Sequence, residues 1–273
     1  MLRETFRVCM HRRDDELMKG QVMQNSSAFL PRRRHRGRIV PAIALLAVAL
    51  SACSTNITES YTGGPADSDT PAIDAKSARV VLMPIDIKLT ELTAAGLEEP
   101  KAAWTELARG HVTNGIHAYL GEKGLKPRDY AKPAEAKARR RDDQLAKLHA
   151  QVGGTILRHH YDTQNRLPTK QGRMDWTLGA TARQLGNGQQ AEFALFVFMR
   201  DSYATGGRKA AVAVSRVLGA GVQAGERVGF ASLVDLRSGK VVWFNALYSD
   251  SGDLREAEPA KEVVGDLMGG FPI

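Results

Sequence analysis

The sequence predicts an α/β fold, in the form of a single three-layer-type domain with a mixed sheet, a late β-hairpin and a C-terminal helix. Two short and almost wholly apolar runs, 80–85 and 193–199, are typical of strands that are buried on both faces. Around them apolar residues recur at helical spacing, and a strand-turn-strand pattern follows late in the chain. Because strands and helices alternate along 273 residues, we expect one α/β domain.

The individual elements are predicted from hydrophobic spacing and from the glycine and proline residues at their ends. The predicted strands are, in chain order, 80–85, 193–199, 228–236 and 241–248. The predicted helices are 100–122, 134–157, 175–185, 209–218 and a last one from Pro259. The turn Arg237-Ser238-Gly239-Lys240 joins the last two strands, and its glycine favours a hairpin.

The charge of the chain is concentrated near its N-terminus. The sequence holds 38 Lys and Arg against 30 Asp and Glu, a formal net charge of +8. Residues 1–52 contain ten of the basic and four of the acidic side chains, so the rest of the chain has a net charge of only +2. A nucleic-acid-binding surface requires a basic excess. The composition therefore predicts no nucleic-acid partner.

The basic segment 32–38 is followed by the twelve uncharged residues 39–50. A helix of that length spans about 18 Å, well short of the hydrocarbon core of about 30 Å. A positive flank before a short apolar run is typical of an export signal, which we assign to residues 1–52. Acidic residues near the start are atypical of such a signal, so translation from Met18 or Met23 is an alternative.

The apolar run ends in Leu50-Ser51-Ala52-Cys53, which resembles the lipobox of bacterial lipoproteins. The resemblance implies that Cys53 is lipidated and becomes the mature N-terminus. Several acyl chains hold a protein firmly, since each buried CH₂ contributes about 0.8 kcal/mol. The residue after the cysteine is Ser54, whereas lipoproteins that are retained in the inner membrane have Asp at that position. The resemblance therefore implies attachment to the periplasmic face of the outer membrane. The only other cysteine, Cys9, lies in the signal segment, so we expect no internal disulfide.

Residues 53–77 are rich in Ser, Thr, Gly, Pro and Asp and have almost no apolar periodicity. This composition predicts a lipidated cysteine followed by a flexible tether. Residues 78–273 then form the periplasmic α/β domain. We expect this domain to bind no cofactor.

The hairpin segment Val234–Trp243 carries a second resemblance. Its residues Asp235, Gly239, Lys240, Val241 and Trp243 combine an acidic residue, a turn glycine and a Val-Val-Trp strand start. In this the chain resembles the family of the curli-secretion lipoprotein CsgG and the N-terminal domain of TolB. The resemblance implies a periplasmic α/β domain over about residues 79–270 and a homo-oligomer. The sequence lacks an obvious segment for membrane-spanning hairpins, so channel activity is not implied.

The polar segment after the central strand is the best candidate site, because open α/β sheets bind ligands at the carboxyl ends of their strands. The candidate residues are Arg200, Asp201, Ser202, Tyr203, Gly206, Gly207 and Arg208. We expect them to form a loop. Its arginines, with the start of the next helix, could hold an anionic group, but the sequence favours a plain loop that only satisfies its own backbone.

No catalytic or metal-binding constellation is predicted. Neither a phosphate-binding Walker loop nor a nucleophile elbow surrounds the candidate segment. His159 and His160 are adjacent, so their imidazoles diverge, and we interpret them as a solvated helix end rather than a metal site. His111 and His117 are six residues apart, which does not place them on one helical face.

The sequence thus predicts a lipid-anchored periplasmic protein that is not an enzyme. Its partners are expected to be the outer-membrane lipid, reached through Cys53, and other envelope proteins, which it would bind during envelope assembly or transport. The alternative is a small-ligand-binding or enzymatic periplasmic domain centred on Arg200 to Arg208.

Overall fold

Eight strands and five α-helices make up the part of the chain that the computed structural model describes, residues 57–62, 73–217, 225, 227–249 and 252–273. The fold is mixed α/β, with a mixed sheet, a late β-hairpin and a C-terminal helix, which confirms the predicted fold class. The predicted signal segment 1–52, with Met18 and Met23, and the predicted lipidation site Cys53 lie outside the described residues.

The bounds of the elements are as follows. The strands are β1 (Ile57–Thr62), β2 (Val80–Leu82), β3 (Asp86–Leu92), β4 (Glu98–Pro100), β5 (Arg128–Asp129), β6 (Phe193–Ala204), β7 (Arg227–Asp235) and β8 (Val241–Ser249). The helices are α1 (Ala102–Glu122), α2 (Ala136–Ile156), α3 (Ala182–Gln189), α4 (Gly206–Val217) and α5 (Ala257–Leu267). A π-helical turn, Leu157–Tyr161, directly follows α2.

Strand β6 is the centre of the sheet. Its first residues pair in parallel with β2 and its later residues pair in parallel with β3, while β7 runs antiparallel along its other side. The strand order is β1-β8-β7-β6-β2-β5, with β3 and β4 beside the second half of β6. β6 is thus paired on both edges, and its apolar residues are buried on both faces of the sheet.

Helices α1 and α5 cover one face of the sheet. The buried side of α1 carries apolar residues at helical spacing: Ala108, Val112, Ile116 and Leu120. They join Leu195, Val197 and the α5 residues Val264 and Leu267 in one hydrophobic core. The helices approach closely at Gly115, where an added Cβ would lie 3.1 Å from Val264 Cγ2.

Helix α2 covers the opposite face, so the domain has the three layers that the sequence predicts. Under it lies a row of stacked rings: Phe198 and Phe230 have centroids 4.8 Å apart, and Phe230 and Phe244 are 5.3 Å apart. Gly153 lets α2 approach this row, because a Cβ at that position would lie only 2.0 Å from Phe230 Cε2.

Residues 57–62 were expected in the flexible tether, and this part of that prediction is wrong. They form β1, which pairs antiparallel with β8 from Ile57 opposite Tyr248 to Thr62 opposite Trp243. The outer edge of β8 would otherwise present unpaired backbone groups. Isoleucine, threonine and tyrosine favour the extended strand conformation, so this short stretch is suited to the edge.

Other boundaries also differ from the prediction. The first strand ends at Leu82, and the unpredicted β3 begins at Asp86. The third helix begins at Ala182, because the preceding residues run along the hairpin turn, with Val241 N donating to Trp176 O at 2.9 Å. That helix continues past its predicted end at residue 185, through Gly186 and Gly188, to Gln189.

Replacing Gly153 by alanine is expected to lower the free energy of unfolding by about 1–3 kcal/mol, because the methyl group overlaps the Phe230 ring. Urea unfolding measures the change. Gly110→Ala in α1 is the matched control, since nothing lies within 4 Å of its Cβ position and alanine favours helix by up to about 1 kcal/mol. Equal effects at the two glycines would contradict the packing of α2 on Phe230.

Candidate functional site

The predicted loop after the central strand is largely a strand. Strand β6 continues to Ala204, because β3 and β7 pair with it on both sides; Arg200 lies opposite Lys88 in β3 and Val228 in β7. Side chains alternate between faces along a strand. The candidate residues are therefore not brought together as one loop.

Arg200 lies on the aromatic face of the sheet. It forms an ion pair with Asp86 at 2.8 Å, and its guanidinium lies 3.9 Å from the ring centroid of Phe198. The candidate glycines, Gly206 and Gly207, begin α4, where the backbone N–H of Arg208 donates to Thr205 Oγ1 at 3.2 Å. Half-buried Ser202 also lies in β6.

Asp201 and Tyr203 are brought together on the face covered by α1 and α5. Asp201 lies opposite Arg227 in β7. Arg227 Nη2 and Nε donate to Asp201 Oδ2 at 2.7 and 3.0 Å, and the hydroxyl of Tyr203 donates to the same oxygen at 2.6 Å. The side chains of Arg227 and Asp201 are only 3% and 4% exposed, so this is a buried ion pair.

Burial and the neighbouring positive charge have opposite effects on the pKa of Asp201. Burial raises the pKa of Asp201, and the charge of Arg227 and the hydrogen bond from Tyr203 oppose that rise. Burial and then the carboxylate of Asp201 raise the pKa of Tyr203, so its phenol stays protonated and serves as a donor. Because two desolvated charges cost free energy, we infer that the pair chiefly fixes the register of β6 against β7.

Further side chains pack around the Asp201–Arg227 ion pair. Asp253 and Arg255, in the segment before α5, form an ion pair at 2.6 Å, whose hydrogen bonds lower the pKa of Asp253. The Arg255 guanidinium lies 4.1 Å from the ring centroid of Tyr203 and 4.6 Å from that of Trp104 in α1. We call Trp104, Asp201, Tyr203, Arg227, Asp253 and Arg255 the charge–aromatic cluster. It joins the sheet to α1 and to the segment before α5.

Arg227, Asp253 and Arg255 were not predicted from the sequence as site residues. Arg227 is 26 residues from Asp201 in sequence, and only the antiparallel register of β6 and β7 places the two side chains together. Asp253 and Arg255 lie in the segment that leads from β8 to α5. A lone charged residue at the start of an apolar strand is the sequence signal that could have indicated Arg227.

A second buried polar pair lies on the other face. His149 in α2 is buried, with its Nε2 2.5 Å from Ser232 Oγ and its ring stacked on Phe196 at a centroid distance of 4.6 Å. Burial lowers the pKa of His149 to about 3. The imidazole is therefore neutral at neutral pH, and the sequence analysis did not single it out.

The other histidines have separate partners. His159 Nδ1 lies 2.6 Å from Asn165 O, and the ring of His160 packs edge-on against Tyr161. In α1, His111 contacts Leu254 O and His117 contacts Asp129. Within the described residues there is no group of three or more His, Cys, Asp or Glu side chains suited to a metal ion. Nor does that part of the chain contain a helix long and apolar enough to cross a membrane.

The hairpin residues that carry the resemblance have local structural roles. The Asp235 carboxylate accepts hydrogen bonds from Arg237 N and Ser238 Oγ, both at 2.8 Å. Gly239 has a φ of +77°, and an added Cβ would lie 2.3 Å from the carbonyl oxygen of Gly179. This turn therefore requires glycine for its conformation and its close contact.

An open depression of about 680 Å³ lies at the start of α2. It is lined by Glu135, Ala136, Lys137, Ala138, Arg140, Arg141, Gln144 and Gln184. None of the sequence-predicted site residues and no member of the charge–aromatic cluster lines it.

Comparison with known proteins identifies no family. No protein-family model matches the chain, and no curated protein matches it. A PelC dodecamer from Paraburkholderia phytofirmans is 16% identical with a TM-score of 0.33, over 78% of this chain and 94% of that chain. The LpoB C-terminal domain from Salmonella enterica is 12% identical with a TM-score of 0.23, over 65% of this chain and 84% of that chain. At these scores neither match supports a function, and the resemblance to CsgG and TolB stays a prediction.

Replacing Arg227 by methionine leaves a buried carboxylate without its ionic partner, so we expect a loss of about 3–5 kcal/mol in the free energy of unfolding. The double variant Asp201→Leu with Arg227→Met should lose less than Arg227→Met alone. Arg79→Met is the control, because its pair with Glu192 is 57% and 49% exposed and contributes at most about 1 kcal/mol. Additive losses in the double variant would contradict a coupled buried pair.

The lowered pKa of buried His149 predicts that the free energy of unfolding depends on pH. The unfolded imidazole takes up a proton near pH 6.5, whereas the folded pKa is about 3, so stability is present above 6.5 and is lost as the pH falls toward 3. Each unit of difference between the folded and unfolded pKa contributes about 1.4 kcal/mol to the free energy of unfolding. In urea titrations from pH 7 to 4, the variant His149→Phe with Ser232→Ala should lose less stability than the wild type. Parallel pH profiles for the two proteins would exclude this role of His149.

Proposed function

We propose that this protein is an outer-membrane lipoprotein that faces the periplasm and binds other envelope proteins. The observation that carries the proposal is the order of the arginine cluster, the short apolar run and Leu50-Ser51-Ala52-Cys53. In a lipoprotein, acyl chains on the cysteine hold an otherwise water-exposed domain at the bilayer surface. Ser54 favours the outer membrane over retention in the inner membrane.

The described domain supports a binding role rather than catalysis. The carboxylate of Asp201 accepts from Arg227 and Tyr203, and the hydroxyl of Tyr203 accepts from Leu254 N at 2.9 Å. These groups bond to one another inside the fold and hold the strand ends to α1 and to the segment before α5. A general base would instead have to face a substrate. The cluster is therefore suited to fixing a rigid surface.

The alternative function, small-ligand binding centred on Arg200 to Arg208, is not favoured by the geometry. Arg200 and Asp201 lie on opposite faces of the sheet, and each already has an ionic partner. A homo-oligomer also remains a proposal, for which light scattering of the chain from Ser54 onward is the test.

The lipoprotein proposal predicts the chemistry of the mature N-terminus. Mass spectrometry of the native product should find a chain that begins at Cys53 and carries acyl chains, and gradient fractionation should place it with the outer membrane. Cys53→Ser should abolish both the processing and the membrane association. Cys9→Ser is the matched control and should change neither, because Cys9 lies in the removed segment.

An unmodified thiol at Cys53, or residues 1–52 still attached, would overturn the anchor. The binding role is tested separately, by chemical crosslinking of the lipidated protein in intact cells. Crosslinks to envelope proteins support the proposal. Binding of a small molecule that is lost on Arg208→Ala, with no protein crosslinks, would instead support the alternative function.

A further inference from the structure

Strand β1 brings the predicted lipid anchor close to the sheet. Cys53 precedes Ile57 by four residues, and four residues of fully extended chain span at most about 14 Å. If residues 53–77 were instead a free tether, their root-mean-square span would be about 28 Å. Pairing of β1 with β8 therefore holds the domain nearer to the bilayer than the tether predicted from composition would.

The direction of β1 decides which end of the sheet carries the anchor. β1 is antiparallel to β8, β8 to β7, and β7 to β6, so β1 runs opposite to β6. The chain therefore enters β1 at the carboxyl end of β6. The pairing places five residues in one row across the sheet: Ile57, Tyr248, Val228, Arg200 and Lys88.

The hairpin of β3 and β4 extends beyond this row in the same direction. β3 continues from Lys88 to Leu92, a rise of about 13 Å at 3.3 Å per residue. The connection to β4, residues 93–97, lies beyond that point, and we call it the hairpin tip. Cys53 lies at most about 14 Å beyond Ile57. Lipid attached to Cys53 would therefore keep the bilayer surface close to the hairpin tip.

The chemistry of the hairpin tip suits a bilayer surface. Its sequence, Thr-Ala-Ala-Gly-Leu, has no charge, and Leu97 is 68% exposed, the largest value among the exposed large hydrophobic residues of the described chain. Three N–H groups of the tip are bonded within it: Thr93 N donates to Leu97 O and Gly96 N donates to Thr93 O, both at 2.9 Å, and Leu97 N donates to Thr93 Oγ1 at 3.0 Å. These bonded N–H groups cost less free energy to bury in the interface than unpaired ones would.

A basic residue lies on the helix beside the tip. An added Cβ on Gly207, in the first turn of α4, would lie 3.5 Å from Ala94 Cβ, so this turn packs against the tip. Arg208, in the same turn, also lies beside the tip, because its Nη1 is 3.6 Å from the position of an added Cβ on Gly96. A guanidinium group next to an apolar loop fits the phosphate groups of a lipid surface.

From these observations we propose that the carboxyl end of β6 faces the membrane and that the hairpin tip contacts the lipid surface through Leu97. This rests on the proposed function, because it requires the acyl chains at Cys53. In this arrangement the domain has one fixed orientation at the outer membrane. The turn between β7 and β8, which contains Arg237, then faces away from the lipid.

The test uses the mature lipidated protein in phosphatidylethanolamine–phosphatidylglycerol vesicles. Leu97→Cys carries an environment-sensitive nitrobenzoxadiazole label, and Arg237→Cys, an exposed residue at the opposite end of the sheet, is the matched control. Cys9 is removed with the signal and the Cys53 sulfur is blocked by lipid, so only the introduced thiol reacts. We expect a severalfold rise in emission at residue 97, quenched by spin-labelled lipids, and none at residue 237.

A second variant tests the role of β1. Glu59→Pro with Ser60→Pro removes two adjacent backbone N–H groups, so β1 can no longer pair with β8. The label at residue 97 should then lose most of its lipid quenching. Asp67→Pro with Ser68→Pro, outside β1, is the control and should leave the quenching unchanged.

The possible outcomes separate the two proposals. Mass spectrometry that finds Cys53 unmodified overturns both the lipoprotein and the orientation. A lipidated Cys53 with no quenching at residue 97, or with equal quenching at residues 97 and 237, overturns the orientation alone. An emission change at residue 97 that requires envelope protein and not lipid also overturns it, and assigns the hairpin tip to a protein partner.

Discussion

Backbone hydrogen bonding along the sheet determines where the other features of this fold lie. A buried strand needs partners on both sides, because unpaired N–H and C=O groups cost free energy away from water. β6 meets this need with β2 and then β3 on one side and β7 on the other. β8, which is nearly all buried, obtains its outer partner from β1. These pairings determine both the candidate site and the end of the sheet at which the chain enters β1.

The charge–aromatic cluster follows from the same pairings. Because β6 stays paired to its end, Asp201 and Tyr203 become neighbours on one face while Arg200 lies on the other. Arg227 then lies directly opposite Asp201, and Arg255 packs over Tyr203 and closes the cluster. On the opposite face the same strands present the stacked rings that receive α2. Two different environments, one charged and one aromatic, thus lie on either side of a single strand.

The parts of the fold that repeat a local pattern could be predicted from the sequence. Helix α1 has apolar residues at helical spacing, and the hairpin has a glycine in its turn, so both are found near their predicted positions. Asp201 and Tyr203 were singled out for their position after an apolar run. The start of α3 and the partnership of Arg227 depend on contacts between distant residues, which no local pattern contains. Composition alone placed β1 in a tether, because six residues of a strand leave a weak signal among polar neighbours.

The proposed orientation at the membrane depends on β1, since its pairing would leave only a short connection between the proposed lipid anchor at Cys53 and the sheet. Hydrogen–deuterium exchange of the mature, membrane-bound protein measures this pairing amide by amide. We expect the amides of Ile57–Thr62 that bond to β8 to be protected, and protection at the paired residues Trp243–Tyr248 to fall with theirs in the Glu59→Pro, Ser60→Pro variant. Exchange of residues 57–62 at the rate of an unstructured chain, with β8 unaffected, would contradict this pairing.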